Sequence, residues 1–262
     1  MIPKIIHYVW VGGKDKPAEV LKYIDSWKKF CPDYQIIEWN EANFDINKVP
    51  FVKEAIENKK FAFASDYMRL YALFNYGGIY MDTDVEVLKP LDEFLNHKAF
   101  TGFENRINIP TAIMGSEKHH PWIKLLLDYY NDRHFVNDNK LDTMTNVNII
   151  SALTKIEYNF KDNNKYQELE DNVVLYPNDY FCPKDYATGE ILLTKNTYTI
   201  HHFNGSWLKH KNNFGKKIVL LFKKIFGKKI FAKVQDHYVK KSYRKNYKKI
   251  EKEYKAKIKK SN

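Results

Sequence analysis

Apolar runs alternate along the first part of the chain with stretches whose apolar residues follow a helical spacing. Residues 4–11 form an almost continuous apolar run that ends at Gly12 and Gly13, which predicts a buried parallel strand and a tight turn. Within 15–30 the apolar residues share one helical face, and 34–39 again resembles a strand. A strand, a helix and a strand in this order indicate a βαβ unit, so we predict an α/β layered fold.

The same alternation continues beyond residue 60. We predict a long helix over 60–76, which ends at Gly77 and Gly78, and one continuous strand over 79–88. Shorter strands are predicted at 99–103, 111–115, 173–176 and 198–202, and further helices at 121–131 and 147–158. Together these elements predict a sheet flanked by helices.

The composition is that of a globular protein. The 262 residues are 44% hydrophobic and 29% charged, which suits one large domain with an appendage or two small domains. The two cysteines, Cys31 and Cys182, rule out a disulfide framework and favour a reducing compartment. The apolar runs are too short for a membrane-spanning helix, and we expect no secretory signal at the N-terminus.

The net charge of +11 is divided unequally along the chain. Residues 209–262 contain 20 Lys and Arg but 3 Asp and Glu, whereas residues 1–208 contain 23 basic and 29 acidic residues. We therefore predict a domain boundary after Leu208 and an anionic partner for the tail, such as phospholipid headgroups, nucleic acid or another acidic surface.

The basic tail also has an apolar pattern. Residues 216–228 form an amphipathic helix with lysines on one arc, and a second stripe runs through Tyr243, Tyr247, Ile250, Tyr254 and Ile258. We favour docking on an anionic membrane surface. The alternative is that these helices fold back onto the body of the protein with their lysines in water. Nucleic-acid binding is disfavoured because no recognised nucleic-acid motif accompanies the charge.

Two carboxylates follow the double glycine. Asp82 and Asp84 are two residues apart, so an extended backbone places both on one face while Thr83 points away. Paired carboxylates repel each other unless a cation lies beside them, and Mg²⁺ or Mn²⁺ prefers such ligands while keeping positions for phosphate oxygens. The pair favours a metal that holds a diphosphate. A solvated turn or strand edge is the alternative interpretation.

Other polar residues and one tryptophan accompany this pair. Asp66 and Arg69 share a face of the predicted helix and could hold sugar hydroxyls and phosphate, or could form an ordinary surface ion pair. Trp10 ends the first strand, where α/β proteins bind ligands, and could stack on a nucleotide base or simply pack in the core. His201 or His202 could add a nitrogen ligand to the metal, or could be part of a polar strand end.

Four sequence motifs in this order carry a family resemblance. Ile-His-Tyr-Val-Trp-Val-Gly-Gly, Ala-Ser-Asp-Tyr-Met-Arg, Gly-Gly-Ile-Tyr-Met-Asp-Thr-Asp and His-His-Phe-Asn-Gly-Ser-Trp resemble glycosyltransferase family 32, the enzymes with a sugar-binding region containing a DXD motif. That family includes bacterial capsular-polysaccharide transferases and yeast Golgi mannosyltransferases, and it is related to the glucosyltransferase domains of large clostridial toxins. The resemblance covers residues 2–208.

The resemblance implies a GT-A fold, which is a Rossmann-like, nucleotide-sugar-binding mixed sheet flanked by helices. It also implies a nucleotide-sugar donor, a divalent cation (Mn²⁺ or Mg²⁺) and retention of anomeric configuration. The expected domains are a catalytic domain over 1–208 and a basic amphipathic helical tail over 209–262.

The resemblance also assigns roles to individual residues. Donor-binding positions are Val9 and Trp10 at the base, Ser65, Asp66 and Arg69 at the sugar, and Asp82, Ser206 and Trp207 at the ribose and diphosphate. The metal positions are Asp82, Asp84 and His202, with His201 as the alternative to His202. No nucleophile is assigned, and Glu104 and Asn108 are candidates for contacts to the acceptor.

These inferences define an expected function. We expect a metal-dependent, retaining hexosyltransferase that moves a sugar from a UDP-sugar to a lipid-linked glycan acceptor in cell-surface or capsular polysaccharide synthesis. GDP-mannose is the alternative donor. The expected location is cytoplasmic and peripheral on the inner face of the cell membrane, with no nucleic-acid partner.

Two other function classes fit part of this pattern. A haloacid-dehalogenase-like phosphatase also has Asp-x-Asp after an apolar strand, but it requires a later acidic motif that this sequence lacks. A non-enzymatic basic membrane-binding protein would leave Trp10, Asp66, Arg69 and the aspartate pair unexplained.

Overall fold

The computed structural model describes residues 1–109, 112–204 and 213–261. Its strands are β1 (Ile5–Val9), β2 (Gln35–Trp39), β3 (Gly78–Met81), β4 (Val85–Val87), β5 (Ala99–Gly102), β6 (Ile113–Ser116), β7 (Val136–Asn137), β8 (Lys140–Leu141), β9 (Gln167–Glu168), β10 (Val173–Tyr176) and β11 (Thr199–His201). Its α-helices are α1 (Ala18–Phe30), α2 (Pro50–Glu57), α3 (Phe61–Tyr76), α4 (Pro121–Asp128), α5 (Asn146–Tyr158), α6 (Asn178–Phe181) and α7 (Asn213–Ser261).

A mixed seven-stranded sheet forms the centre of the fold, in the order β2-β1-β3-β6-β5-β10-β9. β2, β1 and β3 are parallel to one another, β6 is antiparallel to β3 and β5, and β10 is parallel to β5. The carboxyl ends of β1, β3, β5 and β10 therefore lie at one edge of the sheet. The predicted α/β class, a mixed sheet flanked by helices, is confirmed.

The predicted strand over 79–88 is wrong in one respect, because the chain turns in its middle. β3 ends at Met81, residues 82–84 form a turn closed by the Val85 amide donating to the Asp82 carbonyl at 3.0 Å, and β4 begins at Val85. β4 then pairs with β11 in a separate two-stranded sheet. The aspartates therefore lie at the junction of two sheets rather than along one flat strand.

Two apolar clusters hold the helices against the sheet. One lies around α3, α4 and α5, and the other contains Trp27 of α1 and Phe94. The Trp27 indole also donates to the Val85 carbonyl at 2.7 Å, which ties α1 to β4. At the start of β3, Gly78 has φ +108, and a Cβ there would lie 2.7 Å from the Ile5 carbonyl oxygen, so only glycine fits this position.

The C-terminal helix packs partly on the body of the protein. Gly227, with φ 78, interrupts α7, and the part after it lies against α5, with Ile250 fully buried. Glu253 accepts hydrogen bonds from the Tyr129 hydroxyl at 2.7 Å and from Arg133 at 3.3 Å. This contact favours the folded-back alternative for that part of the tail, while the boundary after Leu208 stays a prediction. None of the helices in the described ranges is long and apolar enough to cross a membrane.

Candidate active site

Asp82, Asp84 and His201 come together at the junction of the two sheets. One ligand atom of each lies within 4.8 Å of the others, and all three residues are half-buried. His201 Nε2 is 3.3 Å from Asp84 Oδ1, and the Asn204 amide donates to Asp84 Oδ2 at 2.8 Å. The turn at residues 82–84 and the end of β11, more than a hundred residues apart in sequence, thus supply one cluster.

Charge attraction determines the protonation of this pair. Burial opposes ionisation of Asp84, but the neighbouring His201 outweighs it and the pKa of Asp84 is lowered. Burial likewise disfavours charge on His201, yet the Asp84 carboxylate raises the pKa of His201 well above its usual range. The buried thiol of Cys182 also interacts with His201 and raises its pKa further.

Of the two histidines predicted for the metal position, the structure brings the alternative, His201, and not the first choice, His202, to the aspartates. His202 Nε2 lies 2.8 Å from Glu86 Oε2, and its ring stacks on Tyr23 with centroids 4.7 Å apart. Side chains alternate along a strand, so these adjacent residues point to opposite sides, and only His201 reaches the aspartates.

Arg69 links the helix to the aspartate turn. Its Nη2 atom lies 3.1 Å from Asp66 Oδ1 and 3.2 Å from Asp82 Oδ1, and its side chain is 4% exposed. The guanidinium lies over the Tyr80 ring at 4.6 Å, and the Tyr80 hydroxyl donates to Asp82 Oδ1 at 2.9 Å. The ordinary surface ion pair considered for Asp66 and Arg69 is therefore excluded, because both are buried beside the cluster.

The Asp66 carboxyl titrates far from its usual range. Burial raises the pKa of Asp66 to about 7, with Asp82 adding to the rise and Arg69 and Asn146 opposing it. Asn146 is the first residue of α5, and its buried side chain acts on the Asp66 carboxyl as a hydrogen-bonding neighbour. A sugar hydroxyl is the kind of group that such a carboxyl and amide can bind together.

Trp10 lies near the same edge of the sheet. His7 is in register with Tyr80, so two residues further Val9 is level with Asp82. The partly exposed Trp10 lines a cleft of about 670 Å³ with Gly13, Lys14, Leu21 and Asn40, and its indole donates to the Lys14 carbonyl at 2.6 Å. The Val9 side chain is buried in the core, so only its backbone can contact a ligand.

The remaining predicted positions have different outcomes. Ser65 lies beside Arg69, with its Oγ 3.1 Å from Nη2. Glu104 follows β5 at the same edge; burial raises its pKa, and the charges of His201 and Asp82 act on it in opposite directions. Its amide donates to the Asn108 carbonyl at 2.9 Å. Ser206 and Trp207 lie outside the described residues.

The donor set fits a hard divalent cation. Two carboxylates and an imidazole with ligand atoms within 4.8 Å of one another form a set that Mn²⁺ and Mg²⁺ accept. Asp82, Asp84 and His201 would hold the ion.

Sequence reasoning missed two members of the site. Tyr80 lies two residues before Asp82, so strand alternation predicts that it shares a face with Asp82. Asn146 begins a helix distant in sequence, and no local signal connects it with Asp66.

The chain is similar in sequence to known glycosyltransferases. Residues 17–101 match the family model described as glycosyltransferase sugar-binding region containing DXD motif. An uncharacterized glycosyltransferase of Acanthamoeba polyphaga mimivirus is 27% identical over an alignment of 229 residues, and the match covers 80% of this chain and 85% of that protein. The mannosyl phosphorylinositol ceramide synthase SUR1 of Saccharomyces cerevisiae is 29% identical over 52% of this chain, and the match covers 37% of the yeast protein.

The inositol phosphoceramide mannosyltransferase 2 of Schizosaccharomyces pombe is 29% identical over 48% of this chain. The match spans little more than a third of that protein's length. Among solved structures, the PaToxG glycosyltransferase superposes with a TM-score of 0.48 at 19% identity, over 60% of this chain and 70% of that one. The galactosyltransferase LgtC gives 0.42 at 13% identity, over 82% and 93%. The resemblance seen in the sequence is confirmed: residues 17–101 match the DXD-containing sugar-binding region of glycosyltransferases, and they lie in a mixed α/β sheet flanked by helices.

Proposed function

We propose that this chain is a glycosyltransferase, which takes a sugar from a nucleotide-sugar donor held with a divalent cation. The observation that carries the proposal is the convergence of Asp82, Asp84 and His201 next to the buried pair Asp66–Arg69. A cation bound there would neutralise charge on the departing nucleoside diphosphate.

The chain's own residues have separate tasks in this proposal. Arg69 offers a fixed positive charge to the diphosphate side, and Asp66 orients the donor sugar by hydrogen bonds. Trp10 offers its ring to the nucleotide base in the neighbouring cleft. The acceptor hydroxyl attacks from the face that the diphosphate leaves, and a phosphate oxygen takes its proton, which retains the anomeric configuration without a protein nucleophile.

Two donors have different support. UDP-sugars are favoured by the likeness of the Trp10 region to the toxin domains. GDP-mannose is favoured by the names of the yeast relatives, which are mannosyltransferases or mannosyl phosphorylinositol ceramide synthases. A panel of UDP- and GDP-sugars with Mn²⁺, assayed for nucleotide release, separates the two.

The acceptor and the location are proposals of the same kind. A glycan on a lipid carrier at the cytoplasmic face of an anionic membrane would explain the charge of +17 over residues 209–262. Flotation with anionic vesicles tests this, and glutamine at Lys216, Lys217, Lys223 and Lys224 is expected to weaken binding. Equal flotation of that variant would contradict the role of the basic segment.

Substitution of Asp84 tests the catalytic proposal. Asp84→Asn keeps the side-chain shape but removes a ligand charge, so transfer and its dependence on Mn²⁺ are both expected to collapse. Glu86→Gln is the matched control, because Glu86 is two residues away and is paired with His202 on the opposite side. Unchanged turnover in Asp84→Asn would remove the mechanism, and release of inorganic phosphate would favour the phosphatase class instead.

A further inference from the structure

A loop between α6 and β11 exposes consecutive apolar side chains. Leu192 is 69% exposed and Leu193 59%, and Tyr186 in the same loop is 59% exposed. The loop is held in place, since Lys184 bridges to Ile191, the Asp185 amide donates to the Glu190 carbonyl at 2.9 Å, and Leu192 donates to Pro183 at 3.1 Å. Because these backbone contacts fix the loop, its conformation holds the two leucines in an exposed position.

This apolar loop (residues 184–193) adjoins the candidate active site. The Tyr186 ring contacts Phe203 edge-on at 5.3 Å, and Phe203 in turn lies 4.0 Å from the His201 ring. Lys184 Nζ donates to the His202 carbonyl at 2.6 Å. The loop therefore lies next to His201, on one side of the candidate metal site formed by Asp82, Asp84 and His201.

The apolar loop also touches the basic helix. Gln235 of α7 donates to Asp185 at 3.0 Å. Beside this contact α7 exposes an apolar row and a basic row that line a shallow groove: Ile230, Val234 and Tyr238, with Lys233, His237 and Lys241. Tyr238 follows Gln235 by three residues, so it lies on the side of the helix that meets the loop.

An exposed apolar surface with lysines beside it has the chemistry of a bilayer interface. Apolar side chains gain free energy in the acyl region, and basic groups are attracted to anionic headgroups. We propose that residues 184–193 insert into an anionic phospholipid bilayer, with α7 lying along the headgroups, so that the active site faces a lipid-held acceptor. This inference rests on the proposed membrane-bound acceptor and adds a second, apolar contact to it.

An environment-sensitive label tests the insertion directly. Cys31 and Cys182 are buried, so an NBD fluorophore reacts selectively with an introduced Leu192→Cys. With vesicles of equal parts phosphatidylglycerol and phosphatidylcholine, we expect the emission to shift to the blue and to increase. The matched control is Leu141→Cys on the β7–β8 hairpin, where 38% of the leucine is exposed and no change is expected.

A double substitution tests the contribution to binding. For Leu192→Ser with Leu193→Ser, we expect a vesicle partition coefficient at least about tenfold lower, with transfer to a water-soluble acceptor unchanged. A label at residue 192 that stays in water on vesicles carrying the protein would overturn the insertion, as would equal partition of the double variant. A dimer in light scattering that the double variant dissociates would instead assign this face to a second copy of the chain.

These outcomes are separable from failure of the proposed function. The label reports its surroundings whether or not sugar is transferred. A wild-type chain that releases no nucleotide from any donor contradicts the glycosyltransferase mechanism, whereas a blue shift at residue 192 would still support insertion.

Discussion

Replacement of Asp66 by asparagine should remove a pH dependence from the stability of the protein. Asp66 is 8% exposed, and burial raises its pKa from 3.8 to about 7. Between these values the folded protein holds a proton on Asp66 that the unfolded chain has released. Stability therefore falls as pH rises, by about 1.4 kcal/mol per pH unit, until the folded carboxyl has also ionised near pH 7.

The magnitude follows from the size of the shift. At 1.36 kcal/mol per unit, a rise from 3.8 to about 7 corresponds to about 4 kcal/mol of stability lost between pH 4 and pH 8. Asparagine has nearly the same shape and does not titrate, so Asp66→Asn should lack this part of the slope. The stability of the variant should therefore rise relative to that of the wild type as pH rises. Loss of the carboxylate should at the same time weaken binding of the donor sugar.

Urea unfolding of the wild type and Asp66→Asn at several pH values measures the difference. The control is Asp25→Asn, because Asp25 lies on the surface in an exposed pair with Lys28 and should leave the slope unchanged. If the difference in free energy of unfolding between wild type and Asp66→Asn stays constant from pH 5 to pH 8, the reasoning is refuted. Burial of Asp66 would then not oppose ionisation of its carboxyl.

Three further substitutions test other parts of the structure. His201→Asn should weaken Mn²⁺ binding, measured by calorimetry, by at least about tenfold, whereas His202→Asn should leave it nearly unchanged. A larger loss of affinity in His202→Asn than in His201→Asn would favour His202 as the ligand instead. Trp10→Ala should cost about 1–3 kcal/mol in nucleotide affinity, because base stacking is lost, and unchanged UDP and GDP affinities would contradict that role. Ile250→Ala should lower the free energy of unfolding by about 2–5 kcal/mol, because Ile250 is fully buried where α7 packs on the body of the protein, whereas the 40% exposed Ile258 should tolerate the same change. Equal small effects would show that the helix does not depend on this contact.

Local periodicity was enough to predict most elements of the fold. The helix over 60–76 and the strand at 173–176 agree with α3 and β10 because their apolar spacing depends on the segment alone. The break at Asp82–Asp84 was not predictable in the same way, since β3 and β4 have the same extended, apolar character and differ only in their partner strands. Only the tertiary pairing reveals that the chain changes sheets there.

The site was predicted in its residue types more than in its geometry. The sequence identified both aspartates, Asp66 and Arg69, but the choice between His201 and His202 depends on which face of a three-residue strand meets the turn. A shift of one residue exchanges the faces, and no composition signal fixes the register of so short a strand. Asn146 was missed because its proximity to Asp66 comes from the packing of distant helices.

The pairing of β4 with β11 has a consequence for assembly. Asp82 and Asp84 lie in the turn just before β4, and His201 is the last residue of its partner strand β11. A chain in which β4 and β11 have not yet paired therefore cannot bring all three side chains together. Any ion that requires the full set would then discriminate between the finished and the unfinished chain. The midpoint temperature of thermal unfolding would then rise with the logarithm of the free ion concentration. During folding, the ion would stabilise newly made protein only after β11 had paired with β4.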